Sequence, residues 1–440
     1  MDTQPPTPPL DQTPPAQPVT TPPIDSDPVT PAPVPLPTPN KPKWYKRKKF
    51  IVLIVLLVAL VATACAWAYT QSGTVTPAPT SSQSSTQPAA QPAAAGVSTV
   101  AYSYETIQAS TGNCSPSDSQ LYWRPAEGGE KKTATDIGKS TYVSEHGVYE
   151  NKVFAVTTAA CDNKDAIAVW LSTDYGKTYT KIYSGKPSTG NNNVLADQVT
   201  SAVFSLDGSS IVIATLPADA DKNTVKEINI DTKSAKDLFT VDSRGVFLAS
   251  YNSATQQAIY TTGCYNCDGG AHNTIYARDV EKGTETTLFK DEARYIEQVV
   301  PNQDASKLIL VKSTPGELMG GGKPYIVEEL NVASKAAKQL QTINEDSIVK
   351  VGYRHGDDMP YYSKGNAVYG IEANGNSVAL FEGSKSIKDV HYVDKDHVFT
   401  STGVWDSSDF ELINYTLSTK SAVTLLNGDV HTQIFGVTWN

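Results

Sequence analysis

The chain has 440 residues and a net charge of −10. The first 50 residues hold six Lys/Arg and four Asp/Glu, so the remaining 30 and 42 give the rest of the chain a net charge of −12. A surface this acidic argues against nucleic acid as the partner. Only residues 99–440 have a composition that can pack as a globular domain.

Residues 1–42 form a proline-rich segment that contains 16 of the 28 prolines. The segment has too few large apolar side chains to offset the entropy of ordering, so we expect a disordered chain that samples polyproline II conformations. We interpret it as a solvated cytoplasmic spacer. A docking strip for an aromatic groove is the alternative.

Residues 43–70 combine a basic flank with a long apolar run. Phe50 to Tyr69 is a stretch of twenty residues without charge, which makes about 30 Å of helix and matches a hydrocarbon core. The basic residues precede this run, and the next Lys or Arg is Arg124. The positive-inside rule therefore predicts a single-pass signal-anchor helix in the cell membrane, with the N-terminus in the cytoplasm and the rest of the chain outside.

Two other interpretations of this run leave the C-terminal domain outside as well. A cleaved signal peptide would need a charged region of nearly fifty residues, which is unusually long. Residues 62–65 resemble a lipobox that lacks the usual leucine, so lipidation of Cys65 is the second alternative. Residues 71–98 are almost wholly Ser, Thr, Gln, Pro, Ala and Gly, a composition typical of a flexible linker.

From Ser98 onward, short β-branched and aromatic runs alternate with turn residues, which is typical of an all-β domain. A unit of about 40 to 50 residues that reads as four strands recurs along the chain. The copies cover 99–135, 141–183, 202–241, 247–289, 298–343, 347–383 and 386–427. This pattern predicts a β-propeller of seven four-stranded blades, with six or eight as alternatives. The first copy is incomplete, and we expect residues 431–440 to enter it and close the ring.

The turn Phe204-Ser205-Leu206-Asp207-Gly208 resembles the repeat of TolB-type, WD40-like propellers, in which it joins the first two strands of a blade. Residues 301–305 are a version of this turn without the glycine. The resemblance covers about three units. It implies a propeller fold and a role as an interaction platform, since such propellers mostly bind partners.

A second resemblance concerns one turn of the second unit. Ser172, Asp174, Gly176, Thr178 and Tyr179 match the Asp-box, which is found in sialidases and other propeller proteins. In that motif the aspartate caps backbone N–H groups, the glycine supplies a positive φ, and the aromatic packs beneath the hairpin. We therefore interpret Asp174 as a structural residue of an outer turn.

The sequence assigns no catalytic residue, no metal ligand and no cofactor. A sialidase needs an arginine cluster, but the domain has only Arg124, Arg244, Arg278, Arg294 and Arg354. The six histidines form no metal-binding motif. Residues 219–223 resemble the start of a calcium loop without its later glycine and glutamate, so we expect a solvated loop. A sialidase-like or other glycoside hydrolase stays the alternative function, indicated only by the Asp-box.

Four cysteines follow the apolar run: Cys114, Cys161, Cys264 and Cys267. An even set in an exported domain indicates disulfides, and we expect Cys114 to pair with Cys161 and Cys264 with Cys267. A redox pair at 264–267 is less favoured, because it would need the N-terminus of a helix. A four-cysteine zinc site would need a second close pair.

The longest connections join the second and third strands of the units. They cover 109–119, 158–165, 216–223, 263–273, 313–324 and 401–409. Connections of this kind lie on one rim of a propeller, so we expect them to form the binding face, with Tyr265, Trp405 and Asp406 as contact residues. The sequence thus predicts an anchored, non-catalytic platform that binds a glycan, a peptide or an envelope protein.

Overall fold

The computed structural model describes residues 97–107, 117–139, 141–159, 167–185, 198–217, 220–263, 273–314, 322–344, 349–403, 410–427 and 432–439. They belong to one compact unit, Ala89–Asn440. Within these ranges the secondary structure is entirely β-strand and turn. No helix among these residues is long and apolar enough to cross a membrane. The proline-rich segment, the basic flank and the apolar run lie outside the described ranges. The linker predicted over 71–98 also lies outside them, except for Val97 and Ser98, with which the first strand begins.

In the described part of the chain, twenty-eight strands form seven antiparallel sheets of four strands each. The first three blades in chain order contain β1 (Val97–Ile107), β2 (Ser117–Pro125), β3 (Lys132–Lys139); β4 (Thr141–Tyr149), β5 (Lys152–Ala159), β6 (Ala168–Ser172), β7 (Thr180–Ser184); and β8 (Gln198–Phe204), β9 (Ser210–Leu216), β10 (Asn223–Asn229), β11 (Ala235–Val241). The next two contain β12 (Gly245–Asn252), β13 (Gln257–Gly263), β14 (Thr274–Asp279), β15 (Thr284–Lys290); and β16 (Tyr295–Pro301), β17 (Lys307–Thr314), β18 (Gly322–Asn331), β19 (Ala337–Ile343). The last two contain β20 (Val351–Tyr353), β21 (Pro360–Lys364), β22 (Ala367–Ile371), β23 (Ser377–Glu382); and β24 (Ile387–Val393), β25 (His397–Thr402), β26 (Glu411–Thr416), β27 (Ser421–Asn427). The prediction of an all-β propeller with seven blades is confirmed.

The last strand, β28 (Thr432–Trp439), completes the first blade by pairing with β1. Opposite each other in this pair are Thr99 and Thr438, both buried, whose hydroxyl oxygens are 2.7 Å apart. The Thr438 hydroxyl also accepts a hydrogen bond from the Thr99 N–H at 3.1 Å. The C-terminal strand therefore closes the ring, as the sequence predicted.

The core consists of apolar layers between neighbouring blades. Phe154 and Val156 of the second blade, for example, pack in one cluster with Ile211 and Ile213 of the third. All four are fully buried, and each such side chain contributes about 1.5–3 kcal/mol to folding. The innermost strand of a blade is its first strand in the chain, except in the first blade, where it is β28. These innermost strands contact one another in the order β24, β28, β4, β8, β12, β16 and β20. They therefore line the axis of the disc.

The TolB-like turn joins the first two strands of the third blade, as predicted. Asp207 accepts hydrogen bonds from the hydroxyls of Ser205, Ser209 and Ser253 at 2.6 to 2.9 Å. Burial acts to raise the pKa of Asp207, but these hydrogen bonds outweigh it and hold the pKa far below its usual range. In the related turn of the fifth blade, Ala305 takes a left-handed conformation (φ 55°) without a glycine.

Candidate binding cavity

A cavity of about 520 Å³ opens on the axis of the propeller. It is lined by residues from the C-terminal ends of the first strands and from the short turns that follow them. Its contributors come from six of the seven blades, through β4, β8, β12, β16, β20 and β28 and their turns. The volume lies in the usual range for sites that bind small molecules or single side chains.

Aromatic rings form much of the cavity wall. The indole of Trp439 lies 4.6 Å from the His355 ring and 5.5 Å from the Tyr392 ring, measured between centroids. A second group contains Tyr149 and Phe204, whose centroids are 5.9 Å apart. Rings of this kind offer a flat apolar surface at low entropic cost, which suits a sugar ring, an aliphatic stem or a cation.

Two carboxylates stand at the mouth of the cavity. Glu150 lies in the tight turn between β4 and β5, where its backbone has a φ of 52°, and it is exposed. Asp358 follows β20 and accepts a hydrogen bond from the Asn302 amide at 2.9 Å, which fixes its position. Both residues belong to turns that join the first two strands of a blade.

The basic groups of the cavity are paired or neutral. Arg354 donates from Nε to Asp357 at 2.9 Å and also pairs with it through its terminal nitrogen. Burial lowers the pKa of His355, although the carboxylates of Asp394, Asp358 and Glu150 act to raise it. At neutral pH the imidazole is therefore uncharged.

Deeper in the channel, His146 stacks on Phe435 with the ring centroids 4.8 Å apart. Burial, aided by the nearby His391, lowers the pKa of His146 to about 4. His391 lies 3.0 Å from the Ser401 hydroxyl through Nε2, and burial lowers its pKa as well. The adjacent Glu145 has a pKa raised to about 7 by burial. Burial thus disfavours the charged forms of both histidines and of Glu145 in this region.

Backbone hydrogen bonds between blades hold the mouth of the cavity in place. The N–H of Leu206 donates to the Tyr251 carbonyl at 2.8 Å, and the N–H of His355 donates to the Val393 carbonyl at 2.7 Å. The N–H of Trp439 donates to the Glu150 carbonyl at 3.3 Å. The backbone that positions the side chains at the mouth is therefore fixed by hydrogen bonds between neighbouring blades.

The binding residues predicted from the long connections, Tyr265, Trp405 and Asp406, lie outside the described residues. The second strand of each blade runs away from the cavity, so these connections begin at the opposite rim. Sequence reasoning did not find the cavity, because its residues come from short turns that are far apart in the chain. One signal was available: residues 354–358 place an arginine, a histidine and two aspartates in one short turn.

The turn over 172–179 joins β6 to β7, the outer strands of the second blade. Asp174 accepts hydrogen bonds from the backbone N–H of Thr178 at 2.9 Å and from the Thr178 hydroxyl at 2.7 Å. The Ser172 hydroxyl donates to Asp174 at 2.8 Å and accepts from the Gly176 N–H at 2.9 Å. Gly176 has a φ of 76°, and Tyr179 is buried. None of these residues lines the cavity.

The predicted disulfide partners Cys114, Cys161, Cys264 and Cys267 lie outside the described residues, so both pairings stay predictions. Of the five arginines of the domain, only Arg354 lines the cavity. The described ranges contain no group of three His, Cys, Asp or Glu residues that could hold a metal ion.

No protein-family model matches the sequence, and no curated protein matches it. Solved structures do match. TolB from Acinetobacter baumannii is 15% identical, with a TM-score of 0.42, over 78% of this chain and 66% of that one. The β-propeller domain of the trilobed protease from Pyrococcus furiosus is 11% identical, with a TM-score of 0.48, over 74% and 99%.

The acylaminoacyl peptidase from Pyrococcus horikoshii is 12% identical, with a TM-score of 0.51, over 76% of this chain. This chain spans only 52% of the peptidase and 66% of TolB. At such identities the likeness is one of fold alone. The strand order of its seven sheets makes this chain a seven-bladed β-propeller.

Proposed function

We propose that the propeller is a non-catalytic binding module, anchored outside the cell membrane, whose ligand enters the axial cavity. The observation that carries this proposal is the cavity itself: an aromatic wall around Trp439 with two carboxylates at its mouth. Preformed cavities that combine aromatic rings with a few fixed polar groups are the usual sites of ligand recognition. Peptides, glycans and exposed parts of envelope proteins are the ligand classes that fit.

The fixed geometry of the mouth supports a binding role. Because neighbouring blades share backbone hydrogen bonds there, little conformational freedom is lost when a ligand docks. A single arginine, already paired with Asp357, would leave the carboxylate of a sialic acid without the cluster that a sialidase uses. We therefore favour binding over glycoside cleavage.

Arrays of peptides and glycans, probed with the full-length protein in detergent, test the proposal. We expect saturable binding that Trp439→Ala and His355→Ala reduce at least tenfold. Trp123→Ala is the matched control, because Trp123 lies on β2 beneath the ammonium groups of Lys132 and Lys177 and does not line the cavity.

Thermal melting of each variant separates lost binding from lost folding. Absence of saturable binding on both arrays, or equal effects of Trp439→Ala and Trp123→Ala, contradicts the proposal. Turnover of fluorogenic sialosides or other glycosides by the wild-type protein would favour the hydrolase instead.

A further inference from the structure

The charged groups around the axial cavity are unequally balanced. Glu150 and Asp358 line it as carboxylates, while Arg354 is the single permanently charged cation among the described residues of the wall. The Arg354 guanidinium is held by Asp357, which lies outside the lining, so that pair contributes no net positive charge. The two lining histidines, His146 and His355, are uncharged at neutral pH. The cavity therefore carries a net negative charge.

In the ranges that the structure describes, the Glu150 carboxylate makes no ion pair or hydrogen bond. It acts to raise the pKa of both Tyr149 and His355. Asp358 and Asp394 act on the same imidazole. Three carboxylates thus lie close enough to His355 to raise its pKa, and no positively charged group among the described residues acts on this imidazole.

Two lysines lie close to this rim and could offset part of its negative charge. The Lys152 ammonium lies 5.3 Å from the centroid of the Tyr149 ring, and Lys395 acts on Asp357. Neither lysine lines the cavity. The position of Lys152 also shows that an aromatic face at this rim accepts an ammonium group, in the manner of a cation–π contact.

We propose that the axial cavity selects a cationic group on an aliphatic stem, the basic side chain of a peptide, with its charge between Glu150 and Asp358 and its stem along the ring of Trp439. The inference rests on the proposed function and adds the ligand class. An aromatic wall suits the stem and the cation alike, and the two carboxylates supply a charge that a neutral sugar does not require. An acidic ligand would meet like charges at the mouth.

Calorimetry and saturation-transfer NMR on the full-length protein in detergent test this selectivity. The probes are three acetylated, amidated tripeptides, Ala-X-Ala, in which X is lysine, norleucine or glutamate, together with butylamine as a free alkylamine. We expect the lysine peptide to bind at least tenfold more tightly than the norleucine peptide, and the glutamate peptide to show no transfer. Stronger binding of the lysine peptide than of butylamine identifies a peptide side chain as the source of the cation.

Substitution of Glu150 tests whether its carboxylate causes the preference for the lysine peptide. Glu150→Gln keeps the shape of the side chain and should weaken the lysine peptide about threefold to tenfold, with the norleucine peptide unchanged. Glu281→Gln is the control, since Glu281 is an exposed carboxylate in the outer turn between β14 and β15. The affinity of the lysine peptide should also fall as salt is raised.

The outcomes separate this inference from the proposed function. Equal binding of the lysine and norleucine peptides, or an unchanged lysine affinity in Glu150→Gln, overturns the selection of a cation but leaves the cavity as a binding site. Failure of the lysine peptide to bind, while an array ligand still depends on Trp439, overturns the inference alone. Failure of every probe and every array ligand overturns both.

Discussion

Gly208 illustrates how a single backbone position shapes the cavity. Its φ is 63°, and a Cβ at this position would meet Cδ1 and Cε1 of Tyr149 well inside contact distance. Gly208→Ala should therefore add a steric clash to the usual cost of a left-handed alanine, giving a loss of about 2–4 kcal/mol in the free energy of unfolding. Urea denaturation measures this loss, and ligand titration should show weakened binding because Tyr149 is displaced.

Gly283 provides the matched control for this substitution. It has nearly the same φ of 66°, but a Cβ there would meet nothing within 4 Å. Gly283→Ala should therefore cost only the conformational part, about 1–2 kcal/mol, and leave ligand binding unchanged. Equal losses for the two variants would show that the Tyr149 ring does not depend on the glycine beneath it.

The adjacent residues Glu145 and His146 should give opposite pH dependences of stability. The pKa of His146 falls from 6.5 to about 4 on folding, so the unfolded chain binds more protons in this window and stability drops as pH falls from 6.5 to 4. The pKa of Glu145 rises from 4.5 to about 7, so the folded chain binds more protons and stability drops as pH rises from 4.5 to 7. In the wild type the two effects oppose each other between pH 4.5 and 6.5.

Replacing either residue should reveal the pH dependence of stability that the other one causes. Glu145→Gln should make the free energy of unfolding rise more steeply with pH between 4.5 and 6.5, by up to about 1 kcal/mol per pH unit. His146→Gln should change the slope by a similar amount in the opposite direction. Urea titrations at several pH values measure both slopes, and a change of the same sign in the two variants would contradict the assignment.

At the scale of elements, the pairing of β28 with β1 closes the ring through Thr438. The hydroxyl of Thr438 accepts from the Thr99 N–H and donates to the Thr99 carbonyl, both at 3.1 Å. Thr438→Val should lose these hydrogen bonds and leave a buried N–H poorly satisfied, at a cost of about 1–3 kcal/mol. The midpoint of urea denaturation, monitored by circular dichroism, measures this loss.

A second buried threonine on a strand serves as the control. It distinguishes the effect of losing the hydrogen bonds from the effect of replacing a buried threonine by valine. Thr400 on β25 is fully buried, and its hydroxyl has no hydrogen-bond partner among the residues that the structure describes. Thr400→Val should therefore be neutral or slightly stabilising, because it removes a buried polar atom that none of these residues satisfies. A loss for Thr400→Val as large as that for Thr438→Val would mean that the closing hydrogen bonds contribute little.

The blades could be predicted from the sequence because each carries its own pattern of strands and turns. In the third blade, β9 is buried along its whole length, and the turn at 205–209 contains an aspartate and a glycine. The copy of the repeat at 99–135 is incomplete in the sequence, but the segment at 431–440 could be assigned as its missing strand. The related turn at 301–305 forms without a glycine, because Ala305 adopts the left-handed conformation that Gly208 has in the third blade.

The cavity could not be predicted in the same way. Glu150, His355 and Trp439 are distant in the sequence and approach one another only because first strands of different blades surround one axis. Their spacing depends on how the innermost strands of different blades are arranged around the axis, and no local sequence pattern encodes that arrangement. The sequence instead favoured the long connections, because aromatic residues within them are easy to recognise in a linear pattern.

At the scale of the whole molecule, the membrane anchor remains a prediction of the sequence, and it decides which partners the cavity can meet. Six basic residues precede the apolar run, and the domain beyond it carries an excess of twelve negative charges. Positive charge is retained in the cytoplasm during insertion. We therefore expect the propeller and its cavity to face the outside, where exported peptides and envelope components are accessible.

Protease treatment of intact cells without an outer barrier measures this orientation. We expect the protease to remove residues beyond about 100 and to spare the proline-rich N-terminus, detected by an N-terminal epitope tag, while a cytoplasmic marker stays intact. Replacing Lys46, Arg47, Lys48 and Lys49 by glutamine weakens the signal that orients the helix, so part of the population should then become protected. Full protection of the C-terminal domain in wild-type cells would mean that the cavity faces the cytoplasm, and its ligand would have to be sought there.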